Sequence, residues 1–251
     1  MFSVMALSAA VLERLQTVLT RAGVHVPSAH EPKSAGLSFG IEGLDAALPD
    51  QGLLRGGVVE LAVAEHGSLG TSIALQACRA LQEEAKARGA STPWSAFVDP
   101  SGTLYAPGVA EAGLDLDRLV VLRPPLEALS RVVLKVTESP AFALVVIDAL
   151  GVPGAQPGVA LGTWARVVRR LSMAVEGTER CVLLLTDAGE RRPLPLPVAQ
   201  RLELSRPKPN QLLLRVAKDR RGRVGAAKPI TWARPPALVT ELERHGRRRS
   251  A

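Results

Sequence analysis

The sequence predicts an α/β fold with a mostly parallel central sheet and helices on both of its faces. Short, continuous apolar runs, which are typical of strands buried in a parallel sheet, alternate along the chain with stretches of helical periodicity. The chain has 251 residues, of which 47% are hydrophobic, so one domain can bury a sizeable core. Because no apolar run reaches the roughly 18 residues that a membrane span needs, we expect a cytoplasmic protein.

The strands and helices of this fold follow one another in a regular order. The first buried strand is predicted over 58–63, and a glycine-containing turn leads from it into a helix over 72–88. Four more strands are predicted over 96–98, 119–122, 144–147 and 181–185, with helices over 125–137 and 163–175 between the last three. Alternating polar and apolar residues over 201–205 and 211–217, around a turn at 207–210, predict an antiparallel hairpin at the edge of the sheet.

The chain is predicted to have three parts. Residues 1–36 contain an amphipathic helix over 8–22 and a proline-containing linker, residues 37–233 form the α/β core, and residues 234–251 form a basic tail. The charge is uneven, because the last 51 residues hold 14 of the 31 Lys and Arg but only 4 of the 24 Asp and Glu. A basic end on a nearly neutral body indicates a polyanion or an acidic partner, although a tail kept for solubility fits as well.

Both ends of the chain carry short apolar faces that suit partner binding. Leu12 and Leu15 share one face of the first helix, and Leu238 and Leu242 would share one face of a short helix in the tail. An isolated short helix is unstable in water, so we expect these leucines to pack on another protein. For the tail, the alternative is a frayed terminus without a partner.

The turn after the first strand has the strand–turn–helix layout of a P-loop, whose motif is G-x-x-x-x-G-K-[ST]. Gly70 and Ser72 fit the second glycine and the hydroxyl, but the first glycine position is Glu65 and the lysine position is Thr71. Losing the lysine removes the main cationic contact to the phosphates, and Glu65 adds Coulomb repulsion. The degenerate loop consists of Glu65, His66, Gly67, Gly70, Thr71 and Ser72.

Further motifs follow in order along the core. Residues 37–61 read LSFGIEGLDAALPDQGLLRGGVVEL, residues 97–104 read FVDPSGTL, residues 113–120 read GLDLDRLV, and residues 144–149 read LVVIDA. Together these segments resemble the RecA/Rad51 recombinase core over roughly 37–225. The resemblance implies a RecA-like P-loop fold, in which Asp148 ends the Walker B strand and would hold the Mg²⁺ shell.

The chain departs from that family pattern at the positions whose residues take part in ATP hydrolysis in the family. The resemblance places the catalytic glutamate at Ser101 and the γ-phosphate sensor at Thr186 or Asp187, none of which is the family residue. Asp148 alone does not rescue the site, since an aspartate that ends a strand also serves as a cap. We therefore expect no catalytic residue, no functional nucleotide cofactor and, as Cys78 and Cys181 lack metal-ligand spacing, no metal.

A shortened RecA-like chain with a corrupted P-loop resembles the ImuA group, the accessory proteins of bacterial mutagenic translesion DNA synthesis. This resemblance implies a non-catalytic role in DNA repair during the SOS response to DNA damage. The partners it implies are RecA, the polymerase relative ImuB and an error-prone C-family DNA polymerase. The alternative is a slow or atypical P-loop ATPase of the recombinase-paralogue type, in which a distant Lys or Arg replaces Thr71.

Weak, non-specific DNA binding is predicted from the basic residues that follow the sheet strands. Arginine and lysine bind phosphates without reading sequence, and the 3% aromatic content argues against base-stacking platforms. The alternative is a solvated basic turn. The residues predicted to contact DNA are Arg191, Arg192, Lys218, Arg220, Arg221 and Arg223.

Overall fold

Eight strands and five α-helices make up the described core. The computed structural model describes residues 35–63, 69–150, 161–188, 196–208 and 211–230, without the side chains of 161–163. The strands are β1 (Gly57–Val63), β2 (Trp94–Val98), β3 (Leu119–Leu122), β4 (Phe142–Asp148), β5 (Cys181–Asp187), β6 (Gln200–Lys208), β7 (Gln211–Asp219) and β8 (Lys228–Ile230). The helices are α1 (Glu42–Ala47), α2 (Gly70–Ala87), α3 (Ala106–Glu111), α4 (Leu126–Glu138) and α5 (Leu161–Val175).

The strands form one sheet in the order β3-β2-β4-β5-β1-β6-β7-β8. The pairs from β3 to β6 are all parallel, and β6–β7 and β7–β8 are antiparallel. This arrangement confirms the prediction of a mostly parallel sheet with a hairpin at one edge. The strands β1, β2, β4 and β5 therefore all end on the same side of the molecule. In open α/β sheets, ligands bind at these carboxyl ends of the strands.

Helices cover both faces of the sheet, as predicted. On one face of the sheet, Val59, Leu183 and Leu202 belong to the same buried cluster as residues of α1, α2 and α3. The opposite face packs Val145 and Leu184 against α4 and α5. All seven residues of β1 are buried, including Glu60, which explains why apolar residues occupy both faces of this strand and predicted it.

Helix α2 begins two residues earlier than the predicted start at 72. Its first residue, Gly70, lies so close to β1 that a Cβ atom there would come within 2.9 Å of Val63 Cγ2. Leu69, just before it, has a positive φ of 67°, a conformation that is uncommon outside glycine. Helix α2 therefore starts so close to β1 that a side chain at Gly70 would require Val63 to shift.

Several elements differ from their predicted extents. The short helices α1 and α3 and the strand β8 had no prediction, and β6 runs through Pro207 to Lys208, where a turn was predicted. The predicted N-terminal helix with Leu12 and Leu15, and the tail with Leu238 and Leu242, lie outside the described residues. None of the described helices is long and apolar enough to cross a lipid bilayer.

Candidate functional site

Two aspartates stand where the carboxyl ends of the central strands meet. Asp148 is the last residue of β4 and is 2% exposed, and Asp99 follows β2 and is fully buried. Their strands are neighbours in the sheet, so the two carboxylates act on one another. Coulomb repulsion from Asp99 is one of the effects that raise the pKa of Asp148.

Thr71, at the position of the P-loop lysine, acts on Asp148 and lowers the pKa of its carboxyl group. Burial is the largest effect on this aspartate and raises its pKa to about 6, although hydrogen bonds from the Leu150 amide and the Thr71 side chain lower it in part. The Leu150 amide nitrogen lies 3.0 Å from Asp148 Oδ1. A hydroxyl therefore occupies the place of the ammonium group, and no described cation forms an ion pair with Asp148.

Asp99 forms hydrogen bonds with the loop that follows β2. Its carboxylate accepts hydrogen bonds from the backbone amides of Thr103 and Leu104, each at 3.0 Å. Arg123, at the end of β3, reaches Asp99 Oδ2 at 3.3 Å and also donates to the Leu104 carbonyl at 3.1 Å. The carboxylate and the guanidinium thus hold the 99–104 loop in place, as expected for a buried charge that is paired.

Ser101, at the position of the catalytic glutamate, connects two loops of the site. Its hydroxyl donates to the Leu150 carbonyl at 3.2 Å. A serine hydroxyl has a far higher pKa than a carboxylate and cannot take a proton from water as a general base. The Leu150 side chain also comes within 3.6 Å of the Cβ position at Gly70, so this residue packs over the start of α2.

Thr186, at the sensor position on β5, faces the other side of the sheet. Its hydroxyl donates to Glu60 Oε1 at 2.8 Å, and Arg201 Nη1 lies 2.7 Å from the same oxygen. Glu60 is 2% exposed, so this ion pair is buried and spans β5, β1 and β6. One of the two candidate sensor side chains is therefore used in a sheet contact on the face opposite to Asp148. The other candidate, Asp187, is the last residue of β5 and is exposed.

The remaining loop positions divide between the described and the undescribed part of the chain. Ser72 is exposed in the first turn of α2. Glu65, His66 and Gly67 lie outside the described residues. Among the described residues, no group of three His, Cys, Asp or Glu could hold a metal ion. The described part of the site thus offers carboxylates and hydroxyls, and the phosphate-binding lysine position is occupied by Thr71.

Three of the basic hairpin residues predicted to bind DNA have partners within the fold. Arg223 forms ion pairs with Asp50 at 2.7 Å and Asp219 at 2.8 Å, and these carboxylates hold its pKa above the usual value. Arg221 lies 3.4 Å from Asp50, and Lys218 donates to the Leu196 carbonyl at 3.0 Å.

Arg220 is exposed, and Arg191 and Arg192 lie outside the described residues. Sequence reasoning missed Asp50 as a partner because it lies 173 residues from Arg223. DNA binding by these arginines and by Lys218 stays a prediction.

A groove of about 470 Å³ lies beside the edge strand β3. Apolar side chains of α3, β3 and the segment between them form most of its wall, and Arg123 stands among them. Leu116 is 51% exposed and Val121 is 39% exposed, so the apolar wall is open to water. Among the described strands, β3 pairs only with β2, which leaves its outer backbone groups available to a further strand. The lining residues are Leu104, Ala106, Val109, Leu116, Leu119, Val121 and Arg123.

Comparison with known proteins identifies the fold. No protein-family model matches the sequence, and no curated protein matches it. The structure is similar to the crystal structure of the RadB recombinase, with a TM-score of 0.62 and 18% sequence identity over 78% of this chain and 96% of that chain. The chain therefore has the RecA/Rad51-like α/β fold that its ordered motifs predicted.

Proposed function

We propose that this chain is a non-catalytic RecA-like accessory protein of DNA-damage-induced mutagenic translesion synthesis. The observation that carries this proposal is that a threonine, Thr71, stands at the lysine position while no described cation forms an ion pair with Asp148. In a P-loop ATPase these two positions hold the phosphate-binding lysine and the carboxylate of the Mg²⁺ shell. Here the lysine position holds a neutral hydroxyl and no described cation compensates Asp148, so in this proposal the chain acts through its surfaces.

The electrostatics of the site support this proposal. A nucleotide would bring a polyphosphate towards Asp148 and Asp99, and like charges at such distances repel strongly where little water screens them. Arg123 is a described cation that reaches Asp99, but Asp99 and the Leu104 carbonyl already hold it. Binding would therefore have to break contacts that stabilise the fold.

The partners we propose are RecA, ImuB and an error-prone C-family DNA polymerase. The resemblance to the ImuA group suggests them, and the groove beside β3 is a surface that could receive a segment of a partner. Its open apolar wall and unpaired strand edge suit a peptide that adds as a strand and places apolar side chains in the groove. The apolar faces at Leu12 and Leu15 and at Leu238 and Leu242 are further proposed contacts.

Co-sedimentation with RecA filaments assembled on single-stranded DNA tests the partner proposal. Leu116→Asp with Val121→Asp places two charges in the groove wall, and we expect the fraction that sediments with RecA to fall at least tenfold. Met173→Asp is the matched control, because Met173 is 73% exposed on α5 and does not line the groove. Leu12→Asp with Leu15→Asp tests the terminal helix in the same assay.

Three outcomes contradict the partner proposal. The first is wild-type protein that does not sediment with RecA, and the second is a groove variant that sediments as the wild type does. In the third, Met173→Asp removes the association as completely as the groove variant, which places the contact elsewhere. Survival of the association in the Leu12 and Leu15 double variant contradicts docking through the terminal helix alone.

The second candidate is a slow or atypical P-loop ATPase, for which Arg123 is the relevant observation. Its guanidinium reaches Asp99, so it is a cation near the degenerate site that could replace the missing lysine. Steady-state phosphate release with MgATP, with and without DNA, tests this function. Turnover that both Arg123→Gln and Asp148→Ala abolish would establish the ATPase, whereas background release in all three proteins supports the accessory role.

A further inference from the structure

Basic side chains of the described core differ in whether another group of the protein holds them. The hairpin cations Arg223 and Lys218 have carboxylate or carbonyl partners. The helices α4 and α5, by contrast, carry exposed cations that form no ion pair with any described carboxylate. These unpaired cations are Arg131 and Lys135 on α4 and Arg166 and Arg169 on α5.

An ion pair between the two helices fixes how these cations are arranged. Arg170 Nη2 of α5 lies 3.1 Å from Glu138 Oε1 of α4. The two residues are therefore at the same level along the two neighbouring helices. Residues three or four apart share a helix face, and one turn earlier on each helix stand Lys135 and Arg166. One further turn along α4 is Arg131. We call the surface formed by Arg131, Lys135, Arg166, Arg169 and Arg170 the α4–α5 basic face.

The acidic residues of these helices lie at their ends. Glu127 is in the first turn of α4, Glu138 is its last residue, and Glu176 follows α5. The charged residues in the middle turns are all cations. Like charges four residues apart, such as Arg131 and Lys135, destabilise a helix. An ordinary solvated face mixes the two signs instead. An external anion that binds along these turns would offset this repulsion.

We propose that the α4–α5 basic face binds the phosphate backbone of a nucleic acid. Four of its five cations are arginines, which bind phosphate through two parallel hydrogen bonds. Two helical turns span about 11 Å, a length over which one strand of duplex DNA presents about three phosphates. The choice of a nucleic acid over an acidic protein rests on the proposed role in DNA repair, and not on the state of the nucleotide site.

Contact through this face would be independent of base sequence. The aromatic residue of α5, Trp164, is 8% exposed, and α4 has no aromatic residue. Base stacking, which needs exposed aromatic rings, is therefore not available on this surface. The face is also distinct from the hairpin that the sequence predicted to bind DNA, so variants can separate the two surfaces.

Fluorescence anisotropy with the full chain and a labelled 20-base-pair duplex of random sequence tests the proposal between 50 and 200 mM salt. The face variant carries Lys135→Gln, Arg166→Gln and Arg169→Gln. The control variant removes the same charge elsewhere, through Lys86→Gln, Lys208→Gln and Lys228→Gln, all at exposed positions. A hairpin variant carries Arg220→Gln and Arg221→Gln and keeps Arg223. Thermal melting verifies that each variant is folded.

In the face variant, which loses three cations, we expect the slope of log affinity against log salt concentration to be shallower by about 2.7. This follows from a slope of about 0.9 for each phosphate contact. The control variant should keep the wild-type slope. A labelled single strand of the same length shows whether the face prefers one form of DNA, and the expected change is then about 0.7 per contact.

Any of four results overturns the proposal: no binding by the wild type, a wild-type slope in the face variant, an equal loss in the control variant, or loss in the hairpin variant alone. Competition by a polyglutamate peptide as effective as unlabelled duplex at equal charge would also overturn it, in favour of an acidic protein partner. Because these readouts concern neither ATP nor RecA, they are distinguishable from a failure of the proposed accessory function.

Discussion

Two buried aspartates, each at the end of a sheet strand, have opposite electrostatic surroundings. Asp148 ends β4 next to Asp99 and Thr71, and its pKa is raised to about 6, chiefly by burial. Asp219 ends β7, where burial also acts to raise its pKa, but hydrogen bonds from Arg223, the Arg221 amide and Gln200 outweigh it and leave the pKa lowered. The difference is the presence of a cation.

This contrast shows which buried carboxylates of the described core have a cationic partner. At the hairpin, Arg223 joins Asp50 and Asp219, so the buried charges are compensated. At the candidate nucleotide site, the lysine position is Thr71 and Asp148 has no described ion-pair partner. A P-loop protein obtains that compensation from its lysine and from Mg²⁺, whereas no described side chain supplies a cation to Asp148 here.

Removing the hairpin cation should have the largest effect. Arg223→Met leaves the buried carboxylates of Asp50 and Asp219 without their partner, and we expect the free energy of unfolding to fall by about 3–5 kcal/mol. Urea denaturation at pH 7.5 measures this loss. Arg220→Met, which changes an exposed arginine three residues away, should stay within about 0.5 kcal/mol of the wild type. Equal stabilities of the two variants would show that the ion pairs are not structural.

Removing the charge at the other aspartate should stabilise the protein. The folded pKa of Asp148 is raised from 3.8 to about 6, so its favourable contribution is complete below about pH 4 and is lost as pH rises through 6. Asp148→Asn lacks this titration and keeps an oxygen for the Leu150 amide. At pH 8 we expect it to be more stable than the wild type by up to about 2–3 kcal/mol, from about 1.4 kcal/mol per pKa unit.

Unfolding curves of both proteins between pH 4 and 8 measure that difference. The stability difference should grow between pH 4 and 6 and level off above about pH 7. An Asp148→Asn variant that is less stable than the wild type at pH 8 would mean that the aspartate is ionised and compensated in the folded protein, in contradiction to the comparison with Asp219.

A smaller effect is expected at the lysine position itself. Thr71→Val removes the hydroxyl that lowers the pKa of Asp148, so the charged form loses a hydrogen bond worth about 1–2 kcal/mol. The loss should be present at pH 8 and small at pH 4, where the carboxyl group is protonated. Thr71→Ser keeps the hydroxyl and is the control. If Thr71→Val and Thr71→Ser have the same pH profile, Thr71 does not act on Asp148.

The sequence predicted the strands and helices whose patterns are local. The apolar runs of β1 and β4 are continuous because both strands are buried within a parallel sheet, and the alternation in β6 and β7 reflects one buried and one exposed face. Helix α3 had no prediction because it has six residues and contains Pro107. Strand β8 had none because it has three residues, one of them Pro229.

The candidate site was predicted in composition but not in contacts. Thr71, Ser101 and Asp148 could be placed by their order along the chain, but a hydrogen bond between two of them depends on how β1, α2 and β4 meet in space. The state of each cation is equally non-local. Arg223 and Arg166 look alike in the sequence, and only the fold shows that one has two carboxylate partners while the other has none among the described residues.

Titration of a fluorescent ATP analogue with Mg²⁺ into the full chain tests the central claim most directly. Since the site lacks its lysine and its carboxylates repel phosphate, we expect no saturable binding up to about 1 mM analogue. A dissociation constant of that size corresponds to a binding free energy of about −4 kcal/mol. Asp148→Ala should be indistinguishable from the wild type. Saturable binding in the micromolar range that Asp148→Ala abolishes would contradict the account and identify a working nucleotide site.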